Sequence, residues 1–323
     1  MRILIELPTW LGDTIMASPA IENIISYYKD SEIVFIGSSI SISVFENHPL
    51  AKQTLIYKKN YLNLLIKSVT LGRFDVFFSF RESIRSKFFK SIIQSKLKYQ
   101  FSQRNYKDTH QVLKYNNFIN DSLGISFKAG KLTIYKGSEN EKVARIRKRF
   151  LKGEGQLNNL NLLGINPGAS YGNSKCWNPK KYAKVAAKLS EHYDILILGS
   201  ALDEEVAFDI GQSLIKAGVK NYKNLAGKTT IAELVNIISS LDMFITGDSG
   251  PMHISAAYQI PTVSIFGPTR DYETSQWMNK KNIIVKKNLS CQPCMERRCP
   301  LGHHNCMQLI EEQEIVSSIK LLE

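Results

Sequence analysis

The sequence GDSGPMHISAA (residues 247–257) follows the apolar run FIT (residues 244–246) and continues into small apolar residues. This order predicts a buried strand, a tight turn and the start of a helix. At such a turn, backbone N–H groups and the positive end of the helix dipole face outward, where they attract an anion. Ser249 and Gly250 let the backbone approach a phosphate, and His253, one turn on, adds a proton donor. The pattern is typical of a phosphate or diphosphate site, although an ordinary strand-to-helix loop has the same letters.

Strand and helix patterns alternate along the rest of the chain, in two series. The first series predicts strands at residues 2–7, 32–37, 53–57 and 75–80, and helices at 14–28 and 61–71. The second predicts strands at residues 162–166, 194–199, 241–246 and 262–266, and helices at 179–192, 203–217, 230–239 and 251–258. Alternation of this kind indicates mostly parallel sheets with crossover helices, so we expect two α/β domains whose ligands bind at the carboxyl ends of the strands.

The length of 323 residues suits two domains of ordinary size. A charged, helix-prone stretch (residues 139–152) leads into a polar one (153–161), which places the predicted boundary between residues 155 and 156. The predicted domains are therefore residues 1–155 and 156–323, with the last helix expected to pack back on the first domain. No apolar run is long enough for a membrane span and no signal-peptide layout is present, so we expect a cytoplasmic protein.

Charge is distributed unevenly between the two halves. Residues 1–155 hold 25 Lys and Arg against 13 Asp and Glu, whereas residues 156–323 hold 17 against 16. The excess is densest from Arg81 to Lys107, where eight cations accompany a single acid, Glu82. Such a surface favours an anionic partner: nucleic acid, an acidic membrane or a phosphorylated substrate. No recognisable nucleic-acid module accompanies it, and a merely solvated basic face is the simpler alternative.

Two further loops are candidates for chemistry. The loop PTWLGDT (residues 8–14) follows the first strand, and its Asp13 is either a helix N-cap or a general base for a substrate hydroxyl. The loop NPGASYGNSKCW (residues 166–177) has glycines and Ser170 for close approach to phosphate and Lys175 for charge, without the spacing of a Walker loop. After the next strand, Asp203, Glu204 and Glu205 offer acceptors for ribose hydroxyls, or they are ordinary acids at a helix start.

Cysteines are concentrated near the C-terminus. Four of the five lie in a C-x2-C-x4-C-x6-C pattern with two histidines close by, namely Cys291, Cys294, Cys299, Cys306, His303 and His304. Thiolate and imidazole groups at short spacings suit a structural zinc site, although the spacing is not that of a standard finger, ribbon or knuckle. Reduced packing cysteines are the alternative expected in a cytoplasmic protein, ahead of disulfides.

Taken together and in order, these motifs resemble the bacterial lipopolysaccharide heptosyltransferases of glycosyltransferase family nine. The resemblance rests on LGD (residues 11–13), PGA…KCW (167–177) and DSGPMH (248–253), and it covers almost the whole chain. The Cys-rich stretch resembles the tail of many heptosyltransferase II sequences. The resemblance implies the GT-B fold: two Rossmann-like doubly wound domains facing each other across a cleft. It further implies an inverting transfer, without a catalytic metal or cofactor, from ADP-L-glycero-β-D-manno-heptose to the first heptose of Kdo–lipid A.

The resemblance also implies roles for individual residues. Asp13 would deprotonate the acceptor hydroxyl, and Lys175 would stabilise the leaving diphosphate. The implied donor residues are Ser170, Lys175, Glu205, Ala226, Thr229, Asp248, Ser249, Gly250 and His253. The implied acceptor residues are Thr9, Trp10, Gly12, Arg81 and Arg85.

The basic first domain would then meet the Kdo carboxylates and lipid A phosphates of the acceptor. We expect a monomer that binds no nucleic acid and touches the cytoplasmic face of the inner membrane peripherally. Heptosyltransferase I or III, another transferase of the family, and a non-catalytic binder of nucleotides or phosphoglycans are the alternatives; the presence of both Asp13 and Lys175 argues against the last.

Overall fold

The apolar run at the N-terminus forms strand β1 (Arg2–Glu6), which is the central strand of the first sheet in the computed structural model. The structure describes residues 1–57, 60–136, 160–169 and 171–323. Within them the first sheet has five parallel strands, the others being β2 (Glu32–Gly37), β3 (Ala51–Ile56), β4 (Phe74–Ser79) and β5 (Ser95–Gln100). Their order is β3-β2-β1-β4-β5. Ile3, Leu4 and Ile5 are fully buried, as expected for a strand covered on both faces.

Helices of the first series connect these strands. They are α1 (Leu11–Met16), α2 (Ser18–Tyr27), α3 (Ser39–Phe45), α4 (Tyr61–Thr70), α5 (Ile84–Ile92) and α6 (Gln111–Leu123). Leu64 of α4 and Phe89 of α5 join one apolar cluster with Leu4 and Phe77 of the sheet. The prediction of one helix over residues 14–28 is wrong, since α1 ends before Ala17 and α2 begins at Ser18. Pro19 explains the break, because proline lacks an N–H group and its ring clashes with the carbonyl four residues earlier.

The second series forms a sheet of six parallel strands among the residues described. These are β6 (Asn161–Asn166), β7 (Tyr193–Ile197), β8 (Tyr222–Asn224), β9 (Met243–Gly247), β10 (Thr262–Phe266) and β11 (Asn282–Lys286), in the order β11-β10-β9-β6-β7-β8. The helices are α7 (Pro179–Leu189), α8 (Glu204–Lys216), α9 (Ile231–Ile238), α10 (Gly250–Ala257), α11 (Asp271–Thr274), α12 (Asn305–Gln308) and α13 (Glu312–Leu322). The predicted two α/β sheets are thus confirmed.

The last helix, α13, packs on α7 and on strands β10 and β11 of its own sheet. Trp177 fixes the approach to this helix, because its Nε1 donates to the Ile310 carbonyl oxygen at 3.1 Å and its ring is fully buried. Two ion pairs, Lys181–Glu311 at 3.0 Å and Lys184–Glu312 at 2.9 Å, lie at the surface of this contact. The expected packing of the last helix on the first domain stays a prediction.

The chain divides into two compact units, called unit 1 (Met1–Gly137) and unit 2 (Ser138–Glu323). The predicted boundary between residues 155 and 156, and the helix predicted at 139–152, lie outside the described residues. Across the part of the chain that the structure describes, no helix has both the length and the apolar character needed to span a bilayer.

Gly164 of β6 lets neighbouring side chains pack directly against the backbone of the second sheet. A Cβ atom at this position would overlap the side chains of Leu241 and Phe244. We expect Gly164→Ala to lower the free energy of unfolding by about 1–3 kcal/mol, because a well-packed core cannot absorb an extra methyl group without strain. Gly130→Ala is the control, since nothing lies within 4 Å of the Cβ it would add. Equal denaturant midpoints for the two variants would contradict the expectation.

Candidate active site

The loop after β6 and the turn after β9 meet through a lysine–aspartate pair. Lys175 Nζ lies 2.5 Å from Asp248 Oδ2 and 3.2 Å from the Asp248 carbonyl oxygen. The side chains are 12% and 6% exposed. Thr269 Oγ1, in the loop after β10, donates to the same carboxylate oxygen at 2.7 Å, so Asp248 is held from two sides. An ammonium group has three N–H donors, so Lys175 has the capacity to bind a phosphate oxygen as well.

The turn after β9 leads directly into α10, as predicted from the opening motif. Ser249 is the N-cap residue of α10, yet within the described residues its side chain does not cap the helix. Its Oγ lies 3.1 Å from Thr246 Oγ1 and 3.4 Å from Asn166 Nδ2. The side chain therefore ties the turn to β6 and β9. Pro251 has no N–H, and the Met252 N–H donates to the Ser249 carbonyl oxygen at 3.1 Å, so Gly250 is the residue at the start of α10 whose N–H can face another acceptor.

The Cys-rich segment holds the Lys175 loop in place through its backbone. Tyr171 Oη donates to the Met295 carbonyl oxygen at 2.5 Å, and Ser174 Oγ donates to that of Glu296 at 2.6 Å. The Ser174 N–H donates to the Arg297 carbonyl oxygen at 3.3 Å. This role was missed by sequence reasoning, because carbonyl acceptors are independent of the side-chain letters from which motifs are read.

Gly172 makes this contact sterically feasible. Its φ is 152°, and a Cβ atom there would press on the Arg297 backbone. Two cations also converge on one aromatic ring, since Lys175 Nζ lies 4.7 Å and Arg297 Cζ 5.5 Å from the centre of the Tyr171 ring. Arg297 is thus a second cation beside Lys175, and its only sequence signal was its place in the basic part of the Cys-rich segment.

The chain's five cysteines are free thiols, which agrees with the expectation that placed reduced cysteines ahead of disulfides. Cys291, Cys294, Cys299 and Cys306 line one small cavity beside Ser174 and His304. Burial raises the pKa of Cys306 to about 11, and the neighbouring thiols add to the effect. Among the residues that the structure describes, no three or more His, Cys, Asp or Glu side chains are arranged to hold a metal ion. The observed contribution of this segment is the support it gives to the Lys175 loop.

The three acids after β7 differ in what they contact. Asp203 Oδ2 accepts from the N–H and Oγ of Ser200, at 2.8 Å and 2.7 Å, and its carboxylate fills the space beside Gly168. The Glu204 carboxylate fills the corresponding space beside Gly227, in the loop after β8. Glu205, the predicted ribose acceptor, is exposed on α8. Asp203 and Glu204 are therefore the acids that the fold brings against neighbouring loops.

The remaining predicted donor residues differ in how deeply they are buried. Ala226 is 2% exposed and its methyl group belongs to the apolar core, while Thr229 is half-buried in the same loop. His253 is 2% exposed within α10. Ser170 lies outside the described residues. The roles of these residues toward ADP stay predictions.

Asp13 lies inside helix α1 rather than at its cap. Trp10 is the N-cap residue of α1, and Asp13 is in its first turn, so the capping interpretation is wrong. A carboxylate is favoured there, because the positive end of the helix dipole is close. Asp13 also lies near Tyr115 of α6, where burial raises the pKa of the phenol and the negative charge of Asp13 adds to the shift.

A buried carboxylate, that of Glu6, lies at the end of strand β1 and binds residues of β4, of α5 and of the loops after β3 and β4. Ser79 Oγ donates to Glu6 Oε2 at 2.7 Å, Ser86 Oγ donates to the same oxygen, and Tyr57 Oη donates to Oε1 at 3.3 Å. Arg81 Nη1 lies 3.6 Å from Oε1. Burial raises the pKa of Glu6, while Arg81 and the serine hydroxyls oppose the shift. Sequence reasoning missed Glu6, although an acid ending an apolar strand is itself a signal of a buried polar network.

The predicted acceptor residues lie on the loops that follow β1 and β4 and in the first turns of the helices α1 and α5 that come next. Arg81 is 10% exposed, and the charge of the half-buried Arg85 also acts on Glu6. The Thr9 carbonyl oxygen accepts from Ser38 Oγ at 3.2 Å. Trp10 is 56% exposed, and Gly12 is the second residue of α1. Unit 1 therefore groups a carboxylate, Asp13, with two arginines at one edge of its sheet.

Comparison with known proteins identifies relatives along the whole chain. The family model for glycosyltransferase family 9 (heptosyltransferase) matches residues 64–305. The lipooligosaccharide heptosyltransferase 2 of Campylobacter jejuni serotype O:2 is 41% identical over 326 residues, which cover 100% of this chain and 98% of that relative.

Solved structures share the fold at lower identity. The glycosyl transferase family 9 protein of Veillonella parvula superimposes with a TM-score of 0.83 at 19% identity, over 99% of this chain and 96% of that one. The E. coli ADP-heptose LPS heptosyltransferase II gives a TM-score of 0.79 at 20% identity, over 100% and 98%. The predicted GT-B fold class, with two Rossmann-like units, is confirmed by these matches. Together with the family match and the full-length identity, they establish that the chain belongs to glycosyltransferase family 9, the heptosyltransferase family.

Proposed function

We propose that the chain transfers L-glycero-D-manno-heptose from ADP-heptose to the first heptose of the Kdo–lipid A inner core, with inversion at the anomeric carbon. The observation that carries the proposal is the Lys175–Asp248 pair at the carboxyl edge of unit 2, in a chain that is 41% identical over its full length to a relative named heptosyltransferase 2. An inverting transfer needs a cationic site for the leaving diphosphate and a base for the acceptor hydroxyl, and the chain offers both.

On the donor side, the C–O bond between the anomeric carbon and the diphosphate breaks, and negative charge accumulates on ADP. Lys175 would neutralise this charge, and the Gly250 N–H at the start of α10 would donate to a phosphate oxygen. Arg297 stands beside the same Tyr171 ring as a second cation. Glu204 and Asp203 border the loops where we place the ribose, and Glu205 stays the residue predicted from the family resemblance. With fixed cations in these places, the proposed reaction proceeds without a divalent metal.

On the acceptor side, Asp13 would take the proton of the attacking heptose hydroxyl as the new C–O bond forms. Arg85 and Arg81 would bind the anionic acceptor, whose Kdo carboxylates and lipid A phosphates match the charge of unit 1. Glu6 would fix the direction of Arg81, to which it is paired. We propose a monomeric enzyme without a nucleic-acid partner, in the cytoplasm and peripherally at the inner membrane.

The first test concerns Asp13. We expect Asp13→Asn to lower acceptor-dependent ADP release by about 10²–10⁴-fold, because the amide cannot accept the hydroxyl proton. Binding of ADP-heptose, measured by calorimetry, should be unchanged. The assay uses purified protein in EDTA with heptosyl-Kdo2–lipid A, and Asp30→Asn, an exposed aspartate of the same unit, is the control.

Other outcomes of this assay assign the function differently. Release only with Kdo2–lipid A that lacks heptose would indicate a heptosyltransferase I. Tight ADP binding with no release on any acceptor would indicate a non-catalytic binder. Loss of activity in EDTA would contradict the metal-independent reaction.

The second test concerns Lys175. We expect Lys175→Gln to lower kcat by about 10²–10³-fold, since a preorganised cation at the leaving group is removed from the transition state. Lys184→Gln is the matched control, because it removes a lysine paired with a glutamate at the surface of the same unit. Equal turnover of the two variants would exclude Lys175 from the reaction.

The third test concerns the acceptor. We expect Arg85→Gln to raise the acceptor KM about tenfold, the loss of roughly one charge-assisted hydrogen bond, and to leave ADP-heptose affinity unchanged. Arg73→Gln serves as the control, because Arg73 precedes β4 and thus lies at the opposite edge of the sheet from Arg85. A kcat effect without a KM effect would count against acceptor binding by Arg85.

A further inference from the structure

Helix α4 has a strongly apolar face directed away from its own sheet. Its buried residues are Leu64 and Ser68, which face the core. The opposite side exposes large apolar residues, with exposed fractions of 50% for Tyr61, 66% for Leu62, 43% for Leu65, 51% for Ile66 and 73% for Val69. These positions recur at helical spacing on one side, so they form a continuous stripe. A helix at a purely aqueous surface has the reverse pattern, with its polar residues outward.

The neighbouring elements add to this stripe. Tyr61 packs edge-on against Phe88 of α5, with ring centres 5.1 Å apart. Ile84, at the start of α5, is 80% exposed, and Ile56, at the end of β3, is 57% exposed. Contiguous exposed apolar surface of this kind marks an interaction site rather than ordinary solvent-facing residues.

Lysine and arginine are in large excess in the segment that contains α4. Residues 51–100 hold 11 Lys and Arg against 2 Asp and Glu. Lys87 and Lys90 lie on the adjacent α5, where Lys87 is exposed three residues after Ile84, whereas Lys67 lies on the side of α4 opposite the stripe. Exposed apolar side chains beside an exposed lysine, in a segment rich in cations, fit a bilayer with anionic headgroups, because the apolar side chains enter the headgroup region and the cations pair with lipid phosphates.

A second copy of the chain fits this face less well. A symmetric dimer would place the same surface on both subunits, so the excess positive charge of this segment would be present on both sides of the interface. Anionic lipid instead supplies the opposite charge over the whole face.

We infer that the outward face of α4 is the surface by which unit 1 docks on an anionic membrane. The inference rests on the proposed function in one respect, since a lipid-anchored acceptor gives the docking its purpose. Docking by Leu62, Ile66 and Val69 would hold the enzyme at the bilayer between encounters with acceptor. The stripe is then a membrane anchor on the outer side of a helix whose inner side packs in the core.

The test compares two triple variants of the full chain in co-sedimentation with vesicles at physiological salt. One variant is Leu62→Gln, Ile66→Gln, Val69→Gln on α4. The matched control is Leu202→Gln, Phe208→Gln, Ile215→Gln in unit 2, where the original residues are 86%, 59% and 55% exposed. One set of vesicles contains only phosphatidylethanolamine and phosphatidylcholine. In the other set, one third of the lipid is phosphatidylglycerol.

We expect the unchanged chain and the control to bind the phosphatidylglycerol vesicles, and the α4 variant to bind at least about tenfold more weakly. Far-UV circular dichroism and ADP release on a water-soluble heptosyl-Kdo acceptor should be the same for all three proteins. Equal vesicle binding by the two variants would overturn the inference. A dimer that is lost only in the α4 variant, without vesicle binding, would overturn it in favour of a self-association face. Absence of ADP release from every protein, with vesicle binding intact, would refute the proposed function and leave the docking surface standing.

Discussion

Every strand pairing described in the two sheets is parallel, and this constraint decides where chemistry can occur. Parallel strands end at the same edge, so the loops that follow them converge there. In unit 1 the register pairs Glu6 with Ser79, which places the ends of β1 and β4 side by side. In unit 2 the loops after β6, β9 and β10 converge on Asp248, which contacts Lys175 and Thr269. Residues far apart in sequence thus become neighbours without any specific sequence motif.

Both convergence points contain a carboxylate paired with a cation. Glu6 with Arg81 and Asp248 with Lys175 are largely buried, and the pairs lie at strand ends rather than within the apolar layers. A buried ion pair is a weak source of stability, because desolvation of two charges offsets most of their attraction. Replacement by apolar residues would serve the core equally well. The pairs are better explained as devices that fix the direction of a cation at the edge where we propose that an anionic substrate binds.

Sequence analysis was most accurate for strands that are buried on both faces of a sheet. It was least accurate for contacts that backbone atoms make. The predicted bounds of β2 and β10 match the structure, because each is a short, mostly apolar run of strand length that is flanked by turn residues. The interpretation of Asp13 as the N-cap residue is wrong, because the N-cap position lies three residues earlier, at Trp10. The backbone of Trp10 is extended, as at other N-caps, although its side chain cannot cap the helix. The support of the Lys175 loop by carbonyl groups of residues 295–297 has no sequence signature at all.

The pairing of Lys175 with Asp248 bears on how a cation can favour a transition state over a bound substrate. A fully unpaired lysine would bind the diphosphate of intact donor almost as strongly as that of the leaving group, which lowers KM without raising kcat. Asp248 offsets part of the Lys175 charge, and Thr269 Oγ1 holds the Asp248 carboxylate in place by donating a hydrogen bond to it. In the proposed reaction, the attraction between the ammonium group and the diphosphate would grow as the diphosphate gains charge, without any movement of the ammonium group, whose position is set before bond breaking begins. A paired lysine in a site held by two other loops is therefore consistent with transition-state stabilisation without a mobile metal ion.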